Sequence, residues 1–148
     1  MKNEIESLLP HREPFLFVDE ITEAGKEKIV ARHVFGENEF FFKGHFPDYP
    51  VVPGVILIET MAQSGGAGLR KLGLLGDKAL FFLASVDKVK FRRQVRPGEE
   101  LRSEIANLRV SAHMIKQAGR AFVGEELAAE AEWMCVIGKA GDLTGGCS

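Results

Sequence analysis

Hydrophobic residues are concentrated in one long apolar segment and in several shorter β-rich segments, with glycines and prolines between them. The long segment, Val55 to Leu72, predicts a helix that is apolar on almost every side, which is typical of a buried helix. Upstream of it, Phe15 to Ile21 and Lys28 to Phe35 predict a hairpin with a turn around Gly25. The pattern also predicts a short N-terminal helix and four strands after the long helix: Asn3 to Leu9, Lys78 to Phe91, Leu101 to Ala112, Met114 to Val123 and Glu126 to Ile137.

The order of these elements predicts the fold class. A hairpin, one long buried helix and an antiparallel run of strands form an α+β architecture, in which a curled sheet wraps around one central helix. A length of 148 residues fits one domain. We expect that domain over residues 1–138, followed by a disordered tail over residues 139–148, which are mostly small and polar.

Composition and charge exclude several classes of partner. With 45% hydrophobic and 27% charged residues, the chain has the composition of an ordinary globular protein. A formal net charge of −2 gives no overall electrostatic attraction for nucleic acid or an anionic membrane. The two cysteines are too few for a disulfide framework, and the N-terminus lacks the apolar core of a signal peptide. We therefore expect a cytoplasmic protein without membrane insertion.

One acidic residue, Glu59, stands out in the long helix. It is the only charged residue between Asp48 and Arg70. Burial of a carboxylate without a partner is unfavourable, and the usual result is a raised pKa and a neutral acid. A carboxyl group that stays protonated near neutral pH can act as a general acid. The alternative is a structural glutamate that is hydrogen-bonded to the backbone or to a buried basic residue.

A histidine, His45, lies in the loop before this helix. It stands between Gly44 and the Phe46-Pro47 step, in a segment rich in proline, glycine and aromatic residues. A lone histidine is more often structural than catalytic. However, a rigid loop that leads directly into a helix with a buried glutamate favours a role for His45 as general base.

The start of the helix offers a third chemical element. Pro53 precedes Gly54 and Val55, whose backbone N–H groups are free at the helix N-terminus. Such groups can polarise a carbonyl, although an ordinary helix start would look the same. Base, acid and backbone donors together suit elimination of water from a 3-hydroxyacyl thioester, and this chemistry needs neither metal nor cofactor.

Three motifs carry a family resemblance. Gly44-His45-Phe46-Pro47, Pro53-Gly54-Val55 and Glu59-Thr60-Met61-Ala62-Gln63 resemble the signature of the FabZ family of (3R)-hydroxyacyl-acyl-carrier-protein dehydratases. The offset of 14 positions from His45 to Glu59 also matches the family spacing. Further segments resemble the family along most of the chain: Leu9 to Asp19, Asp87 to Arg92 and Leu127 to Glu132.

The resemblance implies a hot-dog fold over residues 1–138, in a homodimer and usually a trimer of such dimers. It implies that His45 of one subunit is the base, that Glu59 of the other is the acid, and that the Gly54 N–H binds the thioester carbonyl. The expected reaction is dehydration of (3R)-hydroxyacyl-acyl-carrier-protein to the trans-2-enoyl product in fatty-acid elongation. The related FabA enzymes usually carry aspartate at the acid position, so Glu59 favours dehydration without isomerisation.

A basic cluster offers a docking surface for the acidic carrier protein. It consists of Lys88, Lys90, Arg92, Arg93 and Arg96. Such a cluster is usually only a solvated face, but here it has a candidate partner of opposite charge. Two other functions stay open at this point: a hot-dog thioesterase, which would hydrolyse the acyl thioester, and a non-catalytic acyl-binding module.

Overall fold

The computed structural model describes residues 2–76 and 78–138 as two helices and six strands. The predicted tail over residues 139–148 lies outside the described residues. The bounds of the elements are α1 Lys2–Leu8, β1 Glu20–Ala24, β2 Lys28–Val34, α2 Gly54–Lys71, β3 Leu80–Phe91, β4 Glu100–Val110, β5 Met114–Val123 and β6 Glu126–Gly138.

The six strands form one antiparallel sheet in the order β1-β2-β4-β5-β6-β3. Helix α2 packs against one face of this sheet and contacts every strand. The core lies between them and contains Met61 and Leu69 of α2 together with Ile105 and Trp133 of the sheet. The predicted fold class, a curled antiparallel sheet around one long helix, is therefore confirmed.

Helix α2 begins directly after Pro53 and is 18 residues long. It ends where Gly73 adopts a φ of +77°, a conformation that glycine accepts without a steric penalty. The N–H of Leu74 then donates to the Leu69 carbonyl at 2.9 Å, which closes the last turn. No helix among residues 2–76 and 78–138 is long and apolar enough to cross a membrane.

The first predicted strand is wrong over most of its length. Phe15 to Ile21 was expected to be extended within the sheet, but β1 begins only at Glu20. Phe17 is fully buried, yet its N–H donates to the side chain of Gln63 on α2 rather than to a neighbouring strand. A tertiary contact thus satisfies the backbone here, and periodicity along the sequence cannot reveal such a contact.

Strand β3 forms one edge of the sheet, paired only with β6 on its other side. It is 12 residues long. Its exposed side chains include Phe82, Leu83, Val86 and Phe91, the last of them 53% exposed. A long edge strand with apolar side chains is prone to pair with another strand unless something covers it.

Candidate active site

Glu59 lies in the second turn of α2 and is mostly enclosed, with 19% of its side chain exposed. Its Oε2 accepts a hydrogen bond from Nε2 of Gln63 at 2.9 Å. Burial raises the pKa of Glu59, while the hydrogen bond from Gln63 acts in the opposite direction and only reduces the rise. A protonated carboxyl group therefore persists to higher pH than in an ordinary glutamate, as a general acid requires.

A cavity of about 320 Å³ opens beside Glu59. Its other lining residues are His11, Ala62, Phe81, Phe82, Leu83 and Cys135. Burial raises the pKa of the Cys135 thiol to about 12, with the neighbouring Glu59 adding to the effect. The thiol therefore stays protonated and is no nucleophile at neutral pH.

His11, on the segment between α1 and β1, lies beside Glu59. Its Nε2 lies 3.6 Å from Oε2 of Glu59, which is within ion-pair range but too long for a hydrogen bond. Burial lowers the pKa of His11, and the nearby Arg12 and Arg70 lower it further. Because the pKa of His11 is lowered from its ordinary value of 6.5, its ring is mainly uncharged at neutral pH, and the pair is not a salt bridge there.

His45 is held in one orientation by the loop that carries it. Its Nδ1 lies 3.0 Å from the carbonyl oxygen of Val51, and the N–H of Val51 donates to the His45 carbonyl at 2.9 Å. The ring stacks on Phe46 with 4.3 Å between centroids. Since a carbonyl can only accept, the Nδ1 carries the hydrogen, and the neutral ring presents the lone pair of Nε2. That is the form of histidine that a general base requires.

A second cavity, of about 600 Å³, opens at His45 and at the start of α2. Gly54 and Val55 line it. The first helical hydrogen bond runs from the N–H of Ile56 to the Pro53 carbonyl, so the N–H groups of Gly54 and Val55 precede the helical ladder. A Cβ at Gly54 would lie 2.7 Å from the Phe91 ring, which is a steric reason for glycine at this position.

A single chain does not bring His45 and Glu59 into one site. The two cavities share no lining residue. Both reach the edge strand β3, however, and they do so at opposite ends. Phe91 lines the cavity at His45, whereas Phe81, Phe82 and Leu83 line the cavity at Glu59.

The basic cluster is divided in space. Arg92 and Arg93 line the cavity at His45, whereas Lys88 and Lys90 line a depression elsewhere on the sheet. Three of its five members are paired with acids: Lys88 with Glu132 at 3.4 Å, Arg92 with Glu130 at 2.7 Å, and Arg93 with Glu99 at 2.9 Å.

Arg96 is anchored differently, because it lies over the Tyr49 ring at 4.1 Å and donates to the Pro50 carbonyl at 3.2 Å. It therefore stabilises the loop of His45. Because Arg92 and Arg93 are paired with glutamates, the net positive charge near the cavity mouth is smaller than the number of basic residues in the sequence suggests.

Gln63 is the residue of this site that the sequence interpretation missed. It was noted only as part of a motif. Its position four residues after Glu59 on a helix places the two side chains next to each other, and this spacing is the signal that could have identified it.

Comparison with known proteins decides the family. Residues 9–132 match the FabA-like domain. Over 139 residues the chain is 48% identical to 3-hydroxyacyl-[acyl-carrier-protein] dehydratase FabZ of Desulforamulus reducens, which covers 93% of this chain and 96% of that protein. The chain belongs to the FabZ family. Another FabZ dehydratase, from Pelotomaculum thermopropionicum, is 45% identical over 137 residues, covering 91% of this chain and 96% of that protein. The resemblance seen in the sequence motifs is thus confirmed.

Solved structures support the hot-dog fold that this family implies. The dehydratase heterocomplex ApeI:P from Xenorhabdus doucetiae matches with a TM-score of 0.77 at 18% identity, covering 91% of both chains. The PaaI protein of Escherichia coli matches with a TM-score of 0.61 at 11% identity, covering 79% of this chain and 81% of that one. At these identities the likeness concerns the fold alone.

Proposed function

We propose that this protein dehydrates (3R)-hydroxyacyl-acyl-carrier-protein to the trans-2-enoyl thioester during fatty-acid elongation. The observation that carries the proposal is its 48% identity, over more than nine-tenths of its length, to a protein named 3-hydroxyacyl-[acyl-carrier-protein] dehydratase. A single domain over residues 1–138 would perform the reaction. The buried free thiol of Cys135 fits a reducing compartment, in line with the cytoplasmic location that we propose.

In this mechanism the base is His45. The hydrogen on Nδ1, held by the Val51 carbonyl, leaves the Nε2 lone pair to take the proton from C2 of the acyl chain. The N–H groups of Gly54 and Val55 would bind the thioester carbonyl, where negative charge develops as C2 loses its proton.

The acid is Glu59. Its carboxyl proton passes to the C3 hydroxyl as the C3–O bond breaks and the C2–C3 double bond forms, so that water leaves. The burial that raises the pKa of Glu59 keeps this proton available. Transfer of the proton from His45 back to Glu59 then restores the starting state.

We propose further that the site is completed between two subunits, because His45 and Glu59 line separate cavities in one chain. Antiparallel pairing of two β3 strands about a two-fold axis near Val86 would cover the exposed apolar edge. It would also place Phe91 of one chain opposite the Phe81–Leu83 end of the other. The cavity of His45 would then join the partner's cavity of Glu59. The family resemblance extends this proposal to a trimer of such dimers.

Docking of the carrier protein is proposed at the mouth of the cavity of His45. Arg92 and Arg93 lie there, and Lys88, Lys90 and Arg96 are the remaining members of the cluster. An acidic carrier protein would compete with Glu130, Glu99 and Glu132 for these cations, so the attraction would be modest and dependent on salt.

The test is incubation of the protein with 3-hydroxyacyl and with 2-enoyl carrier-protein thioesters, followed by mass spectrometry of the intact carrier protein. Dehydration removes one water from the first substrate, and hydration of the second approaches the same equilibrium mixture. Release of free carrier-protein thiol would indicate a thioesterase instead. Tight binding without any change of mass would indicate an acyl-binding module.

A further inference from the structure

The amide of Gln63 is completely buried, and each of its polar atoms has a partner. Its Oε1 accepts the N–H of Phe17 at 2.8 Å. Its Nε2 donates to the Phe15 carbonyl at 3.0 Å and to Oε2 of Glu59 at 2.9 Å. Both hydrogens of the amide nitrogen are therefore in use, one on the backbone and one on the carboxyl group.

The orientation of this amide is fixed by the backbone and not by Glu59. A backbone N–H can only donate and a backbone carbonyl can only accept, so Phe17 requires the amide oxygen and Phe15 requires the amide nitrogen. Reversal of the amide would leave both backbone groups unpaired in a buried place, where each costs about 1–3 kcal/mol. The second N–H of Gln63 consequently points at Oε2 of Glu59 in every protonation state of that residue.

This geometry constrains where Glu59 can hold its proton. In a carboxylic acid the carbonyl oxygen is a much better hydrogen-bond acceptor than the hydroxyl oxygen, so the donor at Oε2 favours the acid proton on Oε1. We infer that Gln63 is a positioning residue, which fixes Glu59 with its acidic proton on Oε1. The inference rests on the proposed role of Glu59 as the general acid.

Other groups around Glu59 do not supply this constraint. His11, on the N-terminal segment, lies 3.6 Å from Oε2, is too distant for a hydrogen bond and has a lowered pKa. Cys135, on β6, has a pKa raised to about 12 and stays protonated. The cations Arg12 and Arg70 act on His11. Gln63 is therefore the donor that sets the protonation geometry of the carboxyl group.

The test is the pH dependence of kcat in Gln63→Met, an apolar side chain of similar length. Loss of the donor removes the hydrogen bond that lowers the pKa of Glu59, so the alkaline limb of the profile should move to higher pH. At its plateau, kcat should fall about tenfold with little change in KM, which corresponds to one hydrogen bond, because the carboxyl group is no longer held in the orientation that delivers its proton.

A matched control is Gln117→Met. Gln117 is equally buried, and its amide bonds Trp133 and Asn107 at 3.1 Å and 2.8 Å, on the strands and away from Glu59. This variant should lose stability but keep the wild-type alkaline limb. An unshifted limb in Gln63→Met, or the same shift in Gln117→Met, would overturn the inference.

A second variant keeps the test decisive if Gln63→Met does not fold. The isosteric Gln63→Glu preserves an acceptor for Phe17 and places two carboxyl groups together, so the alkaline limb should again move upward.

The proposed function fails separately, since a wild-type protein that forms no enoyl product would disprove it before any variant is compared. Full activity in Glu59→Gln would remove Glu59, and not Gln63 alone, from the mechanism.

Discussion

At the scale of single residues, the structure prepares Glu59 and His45 for proton transfer in different ways. The carboxyl group of Glu59 is mostly enclosed and its pKa is raised. His45 lies on a partly exposed loop, and a backbone carbonyl fixes which of its ring nitrogens carries the hydrogen. The carboxyl group of Glu59 thus keeps its proton to higher pH than an ordinary glutamate, and the ring of His45 presents a free Nε2 lone pair; the proposed dehydration needs both.

Removal of either group should abolish most of the activity. We expect His45→Ala and Glu59→Gln each to lower kcat by about 10²–10⁴-fold, the usual contribution of a general acid or base. Steady-state dehydration rates measure this, with circular dichroism to show that each variant is folded. A variant that is folded and retains near wild-type turnover would take its residue out of the mechanism.

The stability of Glu59→Gln should depend on pH in a defined direction. The pKa of Glu59 is raised in the folded state. Its contribution to the stability of the wild type is therefore most favourable below the ordinary glutamate pKa of 4.5 and is lost as pH rises through the raised value. The variant cannot ionise. The free energy of unfolding of the variant should therefore be close to that of the wild type at low pH. Above the raised pKa of Glu59, it should exceed that of the wild type.

Denaturant unfolding from about pH 4 to pH 9 measures the difference. If Glu59 were a structural ion-pair partner instead, Glu59→Gln would destabilise the protein by roughly 3 kcal/mol or more near neutral pH. That result would favour the structural hypothesis that the sequence left open.

At the scale of elements, helix α2 can lie close to the sheet because glycine occupies several of its inward positions. A Cβ at Gly65 would lie 2.2 Å from Oε1 of Gln117, and one at Gly68 would lie 2.5 Å from Ile29. Glycine is a weak helix former, so each of these positions lowers the stability of the helix by itself. The structure shows that their small size outweighs that cost, because it lets the helix approach β2 and β5.

Gly65→Ala should destabilise the protein despite its better helix propensity. Alanine favours a helix over glycine by about 1 kcal/mol. However, the new methyl group would displace Gln117, whose Oε1 accepts the buried N–H of Trp133 at 3.1 Å. Leaving that donor unpaired costs about 1–3 kcal/mol, and the better helix propensity offsets about 1 kcal/mol of this, so we expect a net loss of up to about 2 kcal/mol in the free energy of unfolding.

Equilibrium unfolding in urea measures this change. Gly36→Ala is the control, because a Cβ at Gly36 would meet no atom within 4 Å. It should change stability by less than about 0.5 kcal/mol. A Gly65→Ala variant as stable as wild type would show that Gln117 can move without losing its hydrogen bond.

At the scale of the whole molecule, the edge strand β3 connects the fold to the proposed chemistry. Its exposed apolar side chains need a cover, and its two ends border the two cavities. Assembly through this edge would therefore serve stability and catalysis together. If the site is shared as proposed, a monomeric chain should have no complete site.

Mixing two inactive variants tests the shared site. A heterodimer of His45→Ala and Glu59→Gln contains one intact site and one doubly altered site. Random exchange of equal amounts should therefore restore about a quarter of wild-type activity, since about half of the dimers are mixed. Exchange is verified by native mass spectrometry with one variant carrying a tag. Exchange without any recovery of activity would place the whole site in one chain.

Carrier-protein docking should depend on Arg92, which lines the cavity of His45. We expect Arg92→Glu to raise KM for carrier-protein substrates up to about tenfold at low salt, with a smaller effect at high salt. The same acyl chain on N-acetylcysteamine should show little change, because that small thiol has no acidic surface.

Two controls isolate the effect of docking. The double variant Arg92→Glu with Glu130→Arg keeps the ion pair of the two residues while moving the positive charge. It should show the same rise in KM if docking depends on the position of that charge. Equal losses with both kinds of substrate would mean that Arg92 supports the fold or the site instead.

The sequence by itself determined the fold class, the central helix and the residues proposed for catalysis. A helix without a polar face must be surrounded, and a single acidic residue within it is conspicuous because its burial is unfavourable.

Tertiary structure alone decided how these parts meet. The backbone of Phe15 to Phe17 bonds Gln63 rather than a strand, and the basic cluster is divided and largely paired with acids. His45 and Glu59, although 14 positions apart, face separate cavities. Periodicity reports only which face of an element is apolar, whereas these contacts join residues far apart in the chain and depend on the complete packing.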